Sequence, residues 1–251
     1  MSLVIHAGAR EVSVDEMRSI DAPTPTHSWF PIAHRDVVNT ASLQIIDAGF
    51  NVRSQRFALS KDNARMFCTM DLESKLAEGV SMAIGVRNSI DKSFPLGFCA
   101  GSRVFVCDNL AFSAELSVRR KHTRNGEVNF RVAIAQSVRR LVTFQQAESA
   151  RIGQLQSHPL EDVMAESLML RAYEQDIISS RMLPDAIAAW RKPEHAEFSP
   201  RTEWSLYNVF TGVYGNLKSA NPARLADLSM RLYGLFGIQV SCDQPELSNS
   251  V

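Results

Sequence analysis

Apolar and polar residues alternate through the middle of the chain, which is the pattern of a sheet with one buried face. From Val80 to Val86 every second residue is a large apolar side chain, and the residues between them are small or polar. Comparable runs are separated by turn-forming clusters such as Ser60–Asn63, and short connections of this kind favour antiparallel neighbours. The pattern predicts five strands, over residues 50–59, 64–72, 79–87, 95–106 and 111–118.

Apolar residues before and after this block recur every three or four positions, which is the spacing of one helix face. A helix is predicted over 36–48, because Gly49 can end it with a positive φ. A long helix is predicted from the turn at Arg124–Gly126 to residue 156. Ser199-Pro200 and Asn221-Pro222 each place a capping side chain before a proline, which favours helix starts there. The remaining predicted helices cover 157–180, 184–191, 200–217 and 222–236.

These elements predict an α+β fold: an antiparallel five-stranded sheet covered by a long helix, with a C-terminal helical annex. Residues 1–35 carry no sustained periodicity and have two prolines within Asp21–Thr26, so they are interpreted as an N-terminal arm. The core domain is expected over 36–156, the annex packed on it over 157–240, and a flexible tail over 241–251.

Composition is that of a folded globular protein. The chain has 251 residues, of which 45% are hydrophobic and 22% are charged, so it can bury a sizeable core. Its 27 basic and 27 acidic side chains cancel, so any signal for a nucleic-acid partner has to be local. No apolar run approaches the ~20 residues that span a bilayer, and the first residues lack the basic start of a signal peptide. We therefore expect a cytoplasmic protein without a membrane partner.

One such local signal is a concentration of positive charge between residues 119 and 140. Seven basic residues occur there against one acid, Glu127, and phosphate neutralisation requires such a concentration. This basic window predicts a binding site for single-stranded nucleic acid. Its basic residues are Arg119, Arg120, Lys121, Arg124, Arg131, Arg139 and Arg140.

The alternative for this window is an ordinary solvated turn and helix whose cations pair with acids elsewhere, such as Glu161, Asp162 and Glu166. Aromatic rings beside a basic groove would favour nucleic acid, because bases stack on them. However, the rings near this window have strand or helix spacing, which is more typical of core residues. Both interpretations therefore stay open. The rings are Phe105, Phe112, Phe130 and Phe144.

A polar turn between two predicted strands is a second candidate site. The stretch from Gly85 to Pro95 gathers basic, acidic, amide and hydroxyl side chains, and loops held by a rigid scaffold often carry binding residues. The same residue types also satisfy turn backbones with their own side chains, so hairpin structure is the alternative. The candidate binding residues are Arg87, Asn88, Ser89, Asp91 and Lys92.

No recognised catalytic or metal-binding motif occurs in the sequence. The six histidines lack ligand spacing, and neither the nucleotide-binding glycine patterns nor G-x-S-x-G is found. We therefore predict no catalytic residue, no metal and no cofactor. A metal-dependent enzyme built on Asp71, Asp91 and Asp108 is a weaker alternative. The four cysteines form no C-x-x-C pair, so four reduced thiols are expected rather than disulfides or zinc ligands.

Parts of the sequence resemble a known family. Ile84–Phe94 running into Arg103–Asn109, together with Trp204–Thr211, is similar to the phage and plasmid proteins grouped as domain of unknown function 932. The resemblance covers about residues 50–240. It implies a protein of mobile elements, acting in a host cytoplasm if phage-encoded, and it implies no particular reaction.

The last of these stretches places Trp204, Tyr207, Asn208 and Thr211 at one-turn helical spacing. We expect them to dock a helix, with Asn208 and Thr211 bonding to the backbone. The order of helix, antiparallel strands and long helix is also similar to that of the phage single-strand annealing proteins Red beta and Erf, which is an analogy of fold alone.

This analogy and the open sheet edges both favour a homo-oligomer. The expected function is non-enzymatic binding of single-stranded nucleic acid in recombination or replication. The alternative is a protein-interaction module, such as a phage inhibitor of a host defence complex.

Overall fold

The computed structural model of the chain describes residues 9–104, 109–215 and 222–240. A short 3-10 helix covers Ala196–Phe198. The strands are β1 (Arg10–Val12), β2 (Val52–Leu59), β3 (Arg65–Ala77), β4 (Val80–Ser89), β5 (Leu96–Val104) and β6 (Asn109–Arg120). The helices are α1 (Val14–Arg18), α2 (His34–Asp47), α3 (Gly126–Val138), α4 (Leu141–Ser157), α5 (Asp162–Glu174), α6 (Leu183–Arg191), α7 (Glu203–Gly215) and α8 (Pro222–Leu235).

The strands form one antiparallel sheet in the order β1-β2-β3-β4-β5-β6. The predicted α+β class is therefore confirmed, and all five predicted strands are present. The sheet also has a sixth strand, because Arg10–Val12 in the predicted arm pairs with Phe57–Leu59. Three residues are too few to show an alternation, so the sequence pattern did not reveal β1.

The central strands β4 and β5 are buried on both faces, so the expectation of a sheet with one exposed face is wrong for them. α2 lies on the face that carries Met70, where the Ser42 hydroxyl is 3.8 Å from the Met70 sulfur. Ile84 and Ala100 continue this face across β4 and β5. Helices α3 and α8 contact β6, and helix α4 contacts β3.

The predicted long helix to residue 156 is wrong in one respect: it is two helices, α3 and α4. The backbone N–H of Arg140 bonds to Ser137 O, a tighter turn than the α-helical pattern. Val138, Leu141 and Phe144 are all buried. Because the apolar spacing runs on through this junction, periodicity could not reveal the break.

The predicted helix over 157–180 is also shorter, covering Asp162–Glu174. Pro159 forms a β-bridge with Thr202, and the Leu160 N–H bonds to Arg201 O. These bonds hold residues 159–160 extended. At the other end Asp176 has a φ of 53°, a left-handed conformation that ends the helix.

The C-terminal helices pack through the predicted docking residues. Tyr207 of α7 stacks on Tyr233 of α8, with ring centroids 5.3 Å apart, and on Trp204 of its own helix at 5.5 Å. The Asn208 amide donates to Trp204 O at 2.9 Å, and the Thr211 hydroxyl donates to Asn208 O at 3.2 Å. The expectation of helix docking with backbone bonds is therefore confirmed.

The two cysteines in the described ranges, Cys68 and Cys99, are buried free thiols. Burial raises the pKa of Cys99 to about 12 and raises that of Cys68 further above its ordinary value. Neither thiol is therefore poised to react as a thiolate. Cys107 and Cys242 lie outside the described residues.

None of the helices within 9–104, 109–215 and 222–240 is long and apolar enough to cross a membrane.

Candidate functional site

The two candidate sites from the sequence meet at one end of the sheet. In the strand register Arg87 of β4 pairs with Gly97 of β5, and Gly97 pairs with Arg119 of β6. The β4–β5 loop and the turn after β6 therefore lie side by side. We call the region they form the sheet-end surface. It consists of Arg87, Lys92, Arg119, Arg120, Lys121 and Arg124 with the rings of Trp29, Phe30 and Phe94.

Two guanidinium groups share one face of the sheet at this end. The Arg87 side chain lies flat over Gly97, where an added Cβ would be only 2.8 Å from Arg87 Cγ. Gly97 therefore lets Arg87 extend toward Arg119. Burial, followed by the positive charge of Arg119, lowers the pKa of Arg87. Like charges held this close favour an anion between or above them.

Cations and aromatic rings are interleaved around the sheet end. The Arg87 guanidinium lies 5.0 Å from the centroid of the Phe94 ring. The Lys92 ammonium lies 4.9 Å from the Trp29 ring, and Arg124 lies 5.7 Å from Phe30. All three rings are half-buried, so each keeps some surface for a ligand. Rings alternating with cations are typical of surfaces that hold single-stranded nucleic acid.

The segment that carries Trp29 and Phe30 is held to the sheet end by hydrogen bonds. The Phe30 N–H donates to His122 O at 3.1 Å. The buried Asn88 amide donates to Ile32 O at 2.8 Å. Part of the predicted N-terminal arm is thereby built into the candidate site.

The candidate loop divides into structural and exposed residues. Asn88 and Ser89 are buried, and the Ser89 hydroxyl donates to Phe94 O at 2.7 Å while accepting from Phe94 N–H. Asp91 accepts from the Ser93 N–H. These three residues satisfy turn backbones, as the hairpin alternative expected. Lys92 is exposed, with a φ of 68° in the left-handed region, and this conformation places its ammonium over Trp29.

The residues of the basic window also fall into two groups, one at the sheet end and one along α3. Arg119, Arg120, Lys121 and Arg124 lie at the sheet end, with Arg120 projecting from the face opposite Arg119 because neighbouring strand residues alternate. Arg131 lies within the second turn of α3. The remaining two, Arg139 and Arg140, lie beyond its last residue, about 20 Å along the helix axis from its start.

Acids proposed as partners of this window pair elsewhere. Asp162 forms an ion pair with Arg201, and Glu166 forms one with Arg191 at 2.9 Å. Glu161 is exposed at the start of α5. The specific pairing that the solvated-surface alternative invoked is therefore not seen for Asp162 and Glu166.

The aspartates proposed as a metal set are not brought together. Asp71 binds Arg103 at 2.8 Å and accepts from the Ser54 hydroxyl at 2.7 Å. Asp91 lies in the β4–β5 loop, 3.8 Å from Arg65, and Asp108 is outside the described residues. Asp71 pairs with Ala83, six residues before β4 ends at Ser89, which at ~3.3 Å per residue is roughly 20 Å, and Asp91 follows beyond that end in the loop. Among the described residues no group of three or more His, Cys, Asp or Glu is placed to hold a metal ion.

The aromatic residues that matter at the sheet end were missed in the sequence. Phe112, Phe130 and Phe144 are buried core residues, as their spacing favoured, and Phe105 lies outside the described ranges. Trp29 and Phe30 stand in the arm, which has no periodicity, and Phe94 lies next to a proline in the loop. The available signal was that large aromatic residues in polar segments are unusual unless they pack or bind something.

Below this surface lies a buried histidine whose protonation is set by its neighbours. The Asn88 amide nitrogen donates to Ile32 O, and the same nitrogen lies 2.9 Å from His34 Nδ1. Nδ1 therefore accepts, and the proton sits on Nε2, which donates to Asn63 O at 3.0 Å. Burial lowers the pKa of His34 below 6.5, against smaller opposing effects of the Asn63 bond and the Asp91 charge. Burial also lowers the pKa of His122.

These two histidines predict that acid destabilises the fold. A group whose pKa is lowered in the folded state binds more protons when the chain is unfolded. Its contribution to stability is therefore complete above pH 6.5, the ordinary pKa of histidine, and is lost as the pH falls below it. The free energy of unfolding in urea should be lower at about pH 5.5 than at about pH 7.5. The His34→Gln variant should lose part of this pH dependence and keep the part due to His122. Equal or greater stability at the lower pH would contradict the assignment.

Comparison with known proteins gives one match. The family model described as "Domain of unknown function (DUF932)" matches residues 25–232, which include Trp29, strands β2 to β6 and most of α8. No curated protein and no solved structure matches the chain.

Proposed function

The chain belongs to the DUF932 family, whose function is unknown, and we propose that it binds single-stranded nucleic acid through the sheet-end surface. The observation that carries the proposal is the alternation of cations and half-buried rings at one end of the sheet. The pairs are Arg87 with Phe94, Lys92 with Trp29, and Arg124 with Phe30. They stand beside Arg119, Arg120 and Lys121 on a chain whose total charge is zero.

The two residue types have separate roles in this proposal. Arg and Lys side chains neutralise phosphates and release counterions, which provides affinity without sequence preference. Rings offer a stacking surface that any base can use. Arg87 and Arg119 are the best placed to share a phosphate, because they project from one sheet face across Gly97. Asn88 and Ser89 hold the loop and the N-terminal segment in position.

A single strand fits this surface better than a duplex. Stacking on Trp29 or Phe94 requires an exposed base face, which a duplex hides within its own stack. The surface also wraps around the end of the sheet, since Arg119 and Arg120 project to opposite faces. A flexible strand can follow that curvature. We place the activity in recombination or replication of a phage or plasmid, acting without catalysis and in the cytoplasm of a host cell.

Replacing Trp29 tests the stacking role. One base–ring stack contributes ~1–3 kcal/mol, so Trp29→Ala should weaken binding of a labelled oligothymidine of about 20 nucleotides roughly tenfold. Trp29→Phe keeps a ring and should stay within about threefold of the original affinity. Fluorescence anisotropy at ~50 mM salt measures both, and circular dichroism confirms folding.

Tyr173→Ala is the matched control, because Tyr173 is an aromatic residue exposed on α5 and is not part of the sheet-end surface. It should bind like the original protein. If Trp29→Ala also binds like the original, Trp29 is not a stacking platform. If the original protein does not bind the oligonucleotide at all, the proposed function is wrong, and a protein-interaction module becomes the better hypothesis.

A further inference from the structure

We propose that copies of this chain associate head to tail, with an acidic apolar stripe on α5 of one copy against a basic apolar stripe on α3 of the next. The partner on this surface is therefore a second copy of the chain. The proposal stands apart from nucleic-acid binding, because it uses different residues.

The α3 stripe consists of Val128, Val132 and Arg139. At 100° per residue these three lie within about 40° of one another around the helix. Val128 and Val132 are 51% and 50% exposed, although the opposite side of α3 buries Phe130 and Ile134. Arg139 follows the last residue of α3 and is exposed. The stripe is thus apolar at its start and positive at its end.

The α5 stripe consists of Val163, Leu170 and Glu174, which also lie within about 40° of one another. Val163 is 74% exposed and Leu170 is 52% exposed. Glu174 is exposed at the last residue of the helix. This stripe is apolar at its start and negative at its end.

The two stripes match in length and oppose in charge. Arg139 follows Val128 by eleven residues, and Glu174 follows Val163 by eleven residues, so each charge lies about 16 Å along its helix from the first valine. Parallel helices would bring valine to valine and Arg139 to Glu174. Within the described part of the chain neither Arg139 nor Glu174 forms an ion pair, whereas Glu166 on the same helix already pairs with Arg191.

Each copy keeps one unused stripe after a single pairing. The contact can therefore repeat into a ring or a filament, or be made twice between two copies in a symmetric dimer. Three valine side chains and one leucine side chain along these two stripes are half or more exposed. The stripes account for Arg139, a residue of the basic window that the sheet-end surface leaves out.

A charge exchange tests this contact in the full chain. Light scattering after gel filtration should give masses above the 27.9 kDa of a monomer at micromolar concentration. Arg139→Glu and Glu174→Arg should each weaken association about tenfold, because a contact becomes a repulsion. The double variant should recover the original mass. An equal mixture of the two single variants should also assemble, since each opposing pair then has opposite charges.

Two further variants serve as controls. Leu170→Gln should weaken association with no change in charge, and Lys61→Glu, an exposed reversal in the β2–β3 turn, should leave the mass unchanged. A monomeric original protein would overturn the proposal. So would single reversals that keep the original mass, or folded single variants whose association is not restored by the double variant or by the mixture.

Discussion

Replacing Asp71 by alanine is expected to lower the free energy of unfolding by about 3–5 kcal/mol, because it removes the carboxylate that is paired with the buried Arg103 guanidinium. Asp71 and Arg103 are only 6% and 8% exposed. Arg103 Nη1 lies 2.9 and 2.8 Å from the two carboxylate oxygens, and the Ser54 hydroxyl donates to the same carboxylate. Urea unfolding followed by circular dichroism measures the loss.

Two comparison variants distinguish the effect of breaking a buried ion pair from that of breaking an exposed one. Removing both charges in Asp71→Ala with Arg103→Met should cost less than the sum of the single changes, because no charge is then left uncompensated. Arg191→Ala breaks an exposed pair, 65% and 49% exposed, and should cost less than about 1 kcal/mol. If Asp71→Ala lowers the free energy of unfolding no more than Arg191→Ala does, Asp71 does not stabilise the fold. A ligand-binding role for its carboxylate would then be the better hypothesis.

Replacing Arg119, Arg120 and Lys121 together by alanine is expected to weaken single-strand binding on the order of 30-fold at ~50 mM salt. The reason is lost phosphate contact, since the three residues are exposed or half-exposed at the sheet end. Within the described ranges, the one side-chain hydrogen bond of these three residues runs from Arg120 Nη1 to Arg119 O, so the fold should tolerate the change. Anisotropy titrations give the affinity, and thermal unfolding checks stability.

A matched triple variant controls for the loss of positive charge itself. Lys61, Arg171 and Arg181 are also exposed, and none of them lies on the sheet-end surface. Replacing them by alanine removes the same net charge from the protein. That variant should bind within about threefold of the original, because general attraction to a polyanion is weak on a neutral chain. Equal losses in the two triple variants would show that binding is not localised.

The sequence predicted the sheet well because alternation is a local signal. The strands from β3 to β6 show it within their own residues, and the short turns between the strands indicate antiparallel order. The break at Arg139–Arg140 was missed for the opposite reason, since apolar spacing continues through it. The extended residues before α5 were missed because they depend on Thr202, more than forty residues later.

The site was predicted in its parts and not as a whole. The loop at 85–95 and the basic window were each identified from composition, but their meeting depends on strand register, which pairs Arg87 with Gly97 and Gly97 with Arg119. Trp29 joins them because its neighbours Phe30 and Ile32 in the aperiodic arm form hydrogen bonds with the sheet end, and Lys92 lies over its ring. Such long-range contacts leave no mark on the local pattern of a single sequence.

The salt dependence of single-strand binding by the unaltered protein tests the central claim most directly. If three or four basic residues of the sheet-end surface contact phosphates, log affinity should fall with log salt at a slope of about −2 to −3, given ~0.7 per phosphate. The Arg119, Arg120 and Lys121 triple variant should flatten this slope toward about −1. A slope near zero, an unchanged slope in the triple variant, or no retention of single-stranded DNA or RNA at ~50 mM salt would contradict the account.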